Sequence, residues 1–402
     1  MMNAEANRSV IHMDLDAFFV SVECLRDNRL KHKPLIIGGT GDRGVVASCS
    51  YEARHFGVHS AMPVKMALQL CPDAIVIKGD MEAYSRYSHL ITEIISDKAP
   101  LFEKSSIDEF YLDVSGMDRF FGCYKWGTEL RQTIMKESGL TISMGLSGNK
   151  MVSKIATGEC KPNGQREIVH GTEGDFLAPL PVKKIPLIGK KTARLLNEMG
   201  IVKVATLREM PDEMLRAVFG NMGPVLKKRA HGIDDSPVEP YSERKSISTE
   251  HTFSTDTIDV QKLKASLIGM VEKIGFKMRE QKKLTSCLTV KLRYSNFDTV
   301  SRQLRIPYTS SDDLLIAHAL ELFDKLYNRR MLIRLLGVRV SSLVHGQHQI
   351  HLFEETEENI RLHQALDSIK YRYGPDAVCR AVTAEAGNRM RFQTPVFTGD
   401  VI

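Results

Sequence analysis

No paired cysteines, no apolar run of membrane-spanning length and no low-complexity tract occur in these 402 residues. Each absence excludes something. Seven cysteines, Cys24, Cys49, Cys71, Cys123, Cys160, Cys287 and Cys379, stand singly, without a CxxC pair and without histidines at zinc-ligand spacing. Neither a disulfide framework nor a zinc site is expected, and a reduced, cytoplasmic setting fits best. The opening stretch MMNAEANRSVIHMDLD has no apolar signal core, and about eighteen uninterrupted apolar residues occur nowhere, so neither secretion nor membrane spanning is expected.

What is present is an ordinary globular composition, 43% hydrophobic and 26% charged, in a chain too long for one core to keep growing. Two to four domains are expected. The net charge of +6 is unevenly spread: residues 244–344 hold eighteen Lys/Arg against ten Asp/Glu, which leaves the remainder mildly acidic. A basic region joined to an acidic one with clustered carboxylates suits a protein that holds a polyanion beside a metal, although a solvated basic surface gives the same count.

Hydrophobic patterning predicts strands at Val10–Met13, Leu35–Ile37, Val45–Cys49, Ile75–Ile77, Phe110–Val114 and Thr141–Leu146, with helices at Ala17–Arg26, Glu82–Ser96 and Lys125–Lys136. This is a mixed α/β segment. From about Gly171 to Pro240 the pattern turns helical with Gly and Pro punctuation, and Ser236–Ser246 reads as a linker. A βαββαβ order follows: Ser246–Phe253, Val260–Gln281, Thr285–Tyr294, Thr299–Ile306, Asp312–Asn328 and Leu332–Leu343. Beyond His345 an acidic helix-like stretch precedes a frayed end.

The strand VIHMD runs into LDAFFVSVE, which places Asp14 at a strand end, and SSIDEFYLDV sets Asp108 beside Glu109. Adjacent acids repel unless a cation offsets them. Two hard divalent cations held by carboxylates could stabilise both oxygens of a phosphoryl transfer. Singly, each acid also reads as a surface residue at a turn, and Asp16 as the cap of the following helix. From the residues alone, Phe18 and Phe19 read as core residues of an amphipathic helix. Tyr51 and Arg54 lie one helical turn apart, and Lys161 precedes a Pro-Asn-Gly turn.

The joint pattern is more specific. MDLDAFF, SYEARHFGV, SSIDEFYLD, GLSGNKMVSKIA and KPNG occur in an order and spacing that resemble the Y-family DNA polymerases, in their DNA polymerase IV branch, over roughly residues 8 to 345. The resemblance implies an α/β multidomain right hand: palm at 1–20 and 80–170, fingers at 21–79, helical thumb at 171–238, linker at 239–245 and little finger at 246–345, with a tail at 346–402. It implies two Mg²⁺ ions held by Asp14, Asp108, Glu109 and the Leu15 carbonyl. It makes Phe19 the steric gate against ribonucleotides, with Phe18 beside it. Ser48, Tyr51, Arg54 and Lys161 become ligands of a deoxynucleoside triphosphate.

Other segments fit the same resemblance. KKIPLIGKKTARLLNEMGI has the form of a helix-hairpin-helix, with Gly189 and Lys190 at a phosphate-facing helix start, but Leu187 stands where the family usually has glycine. Lys291, Arg293 and Arg302 are candidate contacts to the DNA backbone. Gln349, Leu352 and Phe353 resemble a sliding-clamp peptide, while also reading as an edge strand or helix start. The implied activity is primer extension on damaged templates by a low-fidelity monomer without a proofreading exonuclease. Two other readings are a nucleotide cyclase and a DNA-binding accessory protein with an extinct site. A cyclase needs no hairpin or basic second domain, and an extinct site would have lost an acid.

Overall fold

The computed structural model describes residues 8–117, 122–346 and 356–384, so the peptide at Gln349, Leu352 and Phe353 lies outside the described residues. The chain divides between Ser242 and Glu243 into two units.

The first unit is built around a five-stranded sheet ordered β5-β6-β1-β7-β8, from β1 (Val10–Leu15), β5 (Phe102–Lys104), β6 (Glu109–Asp113), β7 (Ile142–Ser147) and β8 (Gln165–Glu167). Strand β1 is central and antiparallel to both β6 and β7. Its alternate residues Ile11, Met13 and Leu15 are buried, packed with residues of α4 (Met81–Lys98) and α5 (Cys123–Ser138) such as Ile91, Ile95, Leu130 and Ile134. Each fully buried side chain of this size contributes about 1.5–3 kcal/mol. The opposite face of β1 carries His12 and Asp14, and α6 (Lys150–Cys160) packs there, with Thr157 touching His12.

Two glycines let the helices approach. A Cβ on Gly127 of α5 would lie 2.7 Å from Ile11 Cδ1, and one on Gly145 of β7 would lie 2.2 Å from the Ser153 carbonyl oxygen of α6. At Gly145 the obstacle is backbone, so only glycine fits there, whereas at Gly127 the ends of Ile11 and Met144 would have to shift.

A smaller sheet, ordered β3-β2-β4, uses β2 (Leu35–Gly38), β3 (Val46–Cys49) and β4 (Ile75–Ile77), with β2 antiparallel to β3 and parallel to β4. Helices α1 (Phe18–Arg26), α2 (Tyr51–His55) and α3 (Val64–Leu70) connect these elements. Five short helices follow: α7 (Glu173–Leu177), α8 (Lys190–Glu198), α9 (Val204–Glu209), α10 (Asp212–Phe219) and α11 (Met222–Ala230). Leu177, Leu196, Leu207, Leu215 and Leu226 form their core.

The second unit is a βαββαβ sandwich: β9 (Ser246–Thr257), α12 (Val260–Glu280), β10 (Lys283–Tyr294), β11 (Thr299–Thr309), α13 (Asp312–Leu326) and β12 (Ile333–His345). The sheet order is β11-β10-β12-β9, antiparallel throughout. Leu288, Val290 and Leu292 of β10 point to the helices and are fully buried. Two further helices, α14 (Thr356–Tyr373) and α15 (Ala381–Ala384), belong to this unit, and α14 meets α12 through the Phe276–Tyr371 ring contact and a buried ion network. Arg279 of α12 donates to Asp367 of α14, to Asp312 of α13 and to the Ser310 carbonyl.

Candidate active site

The carboxylates converge because of strand register. Asp14 and Glu109 are direct partners across the β1–β6 ladder, so their side chains leave the same face of the sheet. The Leu15 amide donates to the Asp108 carbonyl at 3.1 Å, which draws the third acid's backbone against the end of β1. Asp108 is held by the Ser106 hydroxyl at 2.6 Å, and the Ser106 oxygen accepts the Glu109 amide at 3.0 Å.

Two ammonium groups balance the acids. Lys154 of α6 donates to both Glu109 oxygens at 2.7 and 2.6 Å, and Lys161 donates to Asp14. Burial is nevertheless the larger influence on Asp14: it pushes the carboxyl up to about 7 against the pull of Lys161, and Asp108 and Glu109 push the same way. Burial also raises Asp108. Acids held this way are poised for a cation. The donor set fits a divalent ion: hard carboxylate oxygens, with a buried His12 nitrogen that has no hydrogen-bond partner among the described residues, and with one nitrogen of His12 and an oxygen each of Asp14 and Glu109 lying within 4.8 Å of one another.

Around this centre the expected pocket residues take distinct places. The Phe19 ring is stacked on Tyr84 of α4 with centroids 4.3 Å apart and planes 10° from parallel, which fixes its position. Phe18 is 2% exposed, so its ring is a core residue that backs Phe19 rather than a surface open to a nucleotide. Arg54 lies over the Tyr51 ring at 4.8 Å, as their helical spacing requires, and its Nε donates to the Cys49 carbonyl. Ser48 sits on β3, paired with Ile37.

Asp16 is not the helix cap. The N-cap of α1 is Ala17, in the left-handed region with φ 42°, and no side chain caps it. Asp16 is instead buried, accepting from Ser143 Oγ at 2.8 Å and from the Asn163 amide at 2.8 Å. That second bond fastens the Lys161-Pro162-Asn163 turn to the end of β1, and Arg131 donates to the Asn163 carbonyl at 2.8 Å from the other side.

In the helical segment Gly189 is the N-cap of α8, with no side chain satisfying the helix start, and it lines a surface concavity with Lys183, Lys190 and Arg194. Leu187 adopts φ 77°, a glycine-like conformation, with its side chain 59% exposed. In the second unit Lys291 and Arg293 share the sheet face opposite the helices. Arg302 does not join them: it pairs with Val290, whose side chain points to the helices, so Arg302 emerges on that side at the edge strand. The residues in register with the open face are Arg305, opposite Cys287, and Arg339, opposite Thr289. Lys291 reaches across Gly337 to Glu250 at 2.8 Å.

Residues 13–158 match the impB/mucB/samB family, residues 244–352 its C-terminal domain and residues 173–201 the IMS family HHH motif. A DNA polymerase IV from Dehalococcoides mccartyi is 40% identical over 375 residues, covering 92% of this chain and 96% of the relative. This chain belongs to the Y-family DNA polymerases, in the DNA polymerase IV branch. A DNA polymerase IV 2 of Methanosarcina mazei is 37% identical over 347 residues, 85% of this chain and 94% of that one. Among solved structures, a Y-family DNA polymerase chimera matches with TM-score 0.75 at 30% identity, covering 84% of this chain and all of that one. An insertion ternary complex of Dbh DNA polymerase matches with TM-score 0.61 at 28% identity and the same coverage.

As a Y-family member the chain is a DNA-directed DNA polymerase, from a family that depends on divalent metal. Sequence reasoning did not single out three residues that lie against the predicted site residues, His12, Tyr84 and Lys154, and it read a fourth, Asp16, as a helix cap. For His12 the signal was available, because a residue two before Asp14 must share its face. Tyr84 and Lys154 lie far along the chain from what they touch, and only the fold brings them there.

Proposed function

We propose that the chain adds deoxynucleotides to a primer 3′ end by phosphoryl transfer with two Mg²⁺ ions, at low fidelity, across damaged template and without proofreading. One observation carries this reading: Asp14 and Glu109 are opposed in register at one end of the central sheet, with Asp108 beside them and Lys161 already in contact. Asp14, Asp108, Glu109 and the Leu15 carbonyl would hold the ions, which when bound supply charge neutralisation at the attacking and leaving oxygens.

The chain's own groups do the rest. Lys161 exchanges its carboxylate partner for the triphosphate, held toward it by the Asp16–Asn163 bond. Arg54 adds a fixed cation and Tyr51 a hydroxyl at the same phosphates, with Ser48 a further donor. Phe19, braced by Tyr84 and backed by Phe18, occupies the space a 2′ hydroxyl would need. The five-stranded sheet with its helices would be the palm, the β3-β2-β4 region the fingers, α7–α11 the thumb and the second unit's sandwich the little finger.

DNA would be held without regard to sequence, by the Gly189–Lys190 helix start and by the open sheet face bearing Lys291 and Arg293. The peptide at Gln349, Leu352 and Phe353 would bind a sliding clamp, the chain acting as a cytoplasmic monomer. With Mg²⁺ the purified protein should extend a primer on a template, and Asp108→Ala should abolish extension while leaving primer–template affinity within about threefold, because a carboxylate adds nothing to phosphate binding. Absence of template-dependent extension by the unaltered chain refutes the reading.

A further inference from the structure

One buried polar atom beneath the carboxylates is unused. His12 precedes Asp14 by two residues, shares its face of β1 and is 1% exposed. Its Nδ1 lies 2.9 Å from Thr157 Oγ1, and that hydroxyl lies 3.1 Å from the His12 carbonyl and 2.9 Å from the Ser153 carbonyl. A hydroxyl has one proton, which goes to one of the two carbonyls. The hydroxyl therefore accepts from Nδ1–H, and the lone pair of the neutral imidazole resides on Nε2. Among the described residues Nε2 has no hydrogen-bond partner.

The surroundings contain acceptors where a donor is needed. One imidazole nitrogen and one oxygen each of Asp14 and Glu109 lie within 4.8 Å of one another, and Nδ1 is already committed to Thr157. Lys161 serves Asp14 and Lys154 serves Glu109, but neither serves Nε2. Three converging acceptors are complementary to a cation that arrives with part of its water shell, as Mg²⁺ does.

We propose that His12 is a positioning residue of the polymerase centre, whose Nε2 accepts a hydrogen bond from the hydration shell of the divalent cation held by Asp14 and Glu109. The contact ties that cation, through Thr157, to helix α6. The proposal rests on the metal-site reading above and goes beyond it, because His12 is buried beneath the carboxylates and is not one of the residues that reading assigns to the ions.

The test uses the full chain on a dideoxy-terminated primer–template with a deoxynucleoside triphosphate, titrated with Mg²⁺ and followed by the rise in melting temperature. Extension rates on an unblocked primer are measured against Mg²⁺ in parallel. His12→Asn keeps a donor for Thr157 but withdraws the acceptor, and should raise the half-saturating Mg²⁺ about tenfold, the equivalent of about 1.4 kcal/mol. Its rate at saturating Mg²⁺ should recover to within a few-fold. His12→Gln places an amide oxygen near the Nε2 position and should restore Mg²⁺ dependence to near the wild-type value.

Thr157→Val frees the imidazole to carry its proton on Nε2, and should weaken Mg²⁺ as His12→Asn does; it carries the test if the asparagine variant does not fold. Unchanged half-saturating Mg²⁺ in both His12→Asn and Thr157→Val overturns the proposal. So does an equal loss of melting temperature in EDTA for the Asn and Gln variants with Mg²⁺ dependence unaltered, which would make His12 purely structural. If the wild-type protein itself gains no stability from Mg²⁺, the metal-site reading fails first.

Discussion

Replacing Arg279 by Met should cost the second unit about 3–5 kcal/mol, since removing one member of a buried ion network leaves its partners charged and unpaired. The side chain is 10% exposed and donates five hydrogen bonds, two to Asp312, two to Asp367 and one to the Ser310 carbonyl. The two carboxylates are only 7% and 12% exposed, so water cannot replace what the guanidinium supplies. At about 2–4 °C per kcal/mol for a unit of this size, the midpoint should fall by roughly 6–20 °C. The chain's one tryptophan, Trp126, lies in α5 of the first unit, so indole fluorescence reports the wrong transition. Scanning calorimetry is the appropriate assay, with hydrogen exchange on α14 as the local readout: its amides should lose protection first, because Asp367 is on that helix. Adding Asp312→Asn and Asp367→Asn to Arg279→Met should recover part of the loss, since neutral amides cost less to bury than unpaired carboxylates. An Arg279→Met protein whose second unit melts within about 1 kcal/mol of wild type would refute the premise that this buried network holds α14.

Three shorter predictions follow from other sites. Leu187→Gly relieves a left-handed backbone that costs an L residue about 1–2 kcal/mol, against about 0.4–1 kcal/mol of added chain entropy in the unfolded state, and should be neutral to stabilising by denaturant melts; clear destabilisation would mean that the exposed leucine makes a contact worth more than the strain. Burial lowers His363 below its ordinary value of 6.5 although Asp312, Asp313 and Asp367 pull it up, with Arg279 acting in the same direction as burial. The unfolded chain therefore takes the proton first, so the stability His363 contributes is complete above about pH 6.5 and is lost as pH falls below it. Thermal midpoints at pH 7.5 and 5.5 should differ less in His363→Asn than in wild type. Phe19→Val should raise ribonucleotide use relative to deoxynucleotide use, measured as a ratio of incorporation efficiencies, and an unchanged ratio removes Phe19 from the gate.

The elements were legible wherever period and length agreed. The strand Val10–Met13 showed because three of its four residues are apolar, and the βαββαβ order showed because the two helices of the sandwich, α12 and α13, run for 21 and 15 residues with a regular apolar face. Helix α6 was not among the predicted helices: GLSGNKMVSKIA counted only as a motif, whereas Asn149 caps a helix there by accepting the Val152 amide at 3.0 Å. The polar anchoring of α14 was equally invisible, because a helix that buries His363 and Asp367 while exposing Leu362, Ile369 and Tyr373 inverts the pattern on which such reading depends. For the site, Asp14, Asp108 and Glu109 were recognisable by motif, but the partnership of Asp14 with Glu109 rather than Asp108 across the ladder is a matter of register. The open basic face was half legible: Lys291 and Arg293 follow from alternation within one strand, whereas exclusion of Arg302 and inclusion of Arg339 need the pairing of neighbouring strands.

The glycine at 145 has a consequence for how precisely this centre is built. Helix α6 seats on the sheet at the depth Gly145 permits, and the chain leaving the helix passes directly to Lys161. A methyl group there would meet the Ser153 carbonyl at 2.2 Å, so the helix would have to lift by about 1 Å to restore contact distance. A helix moves as a rod, and the displacement would reach Lys154, Thr157 and Lys161 almost undiminished, where a misplacement of about 1 Å costs on the order of 100-fold in rate. The absent side chain thus serves as the datum from which the lysines are measured against their carboxylates: a tolerance set where helix meets sheet, for work done at the end of the central strand.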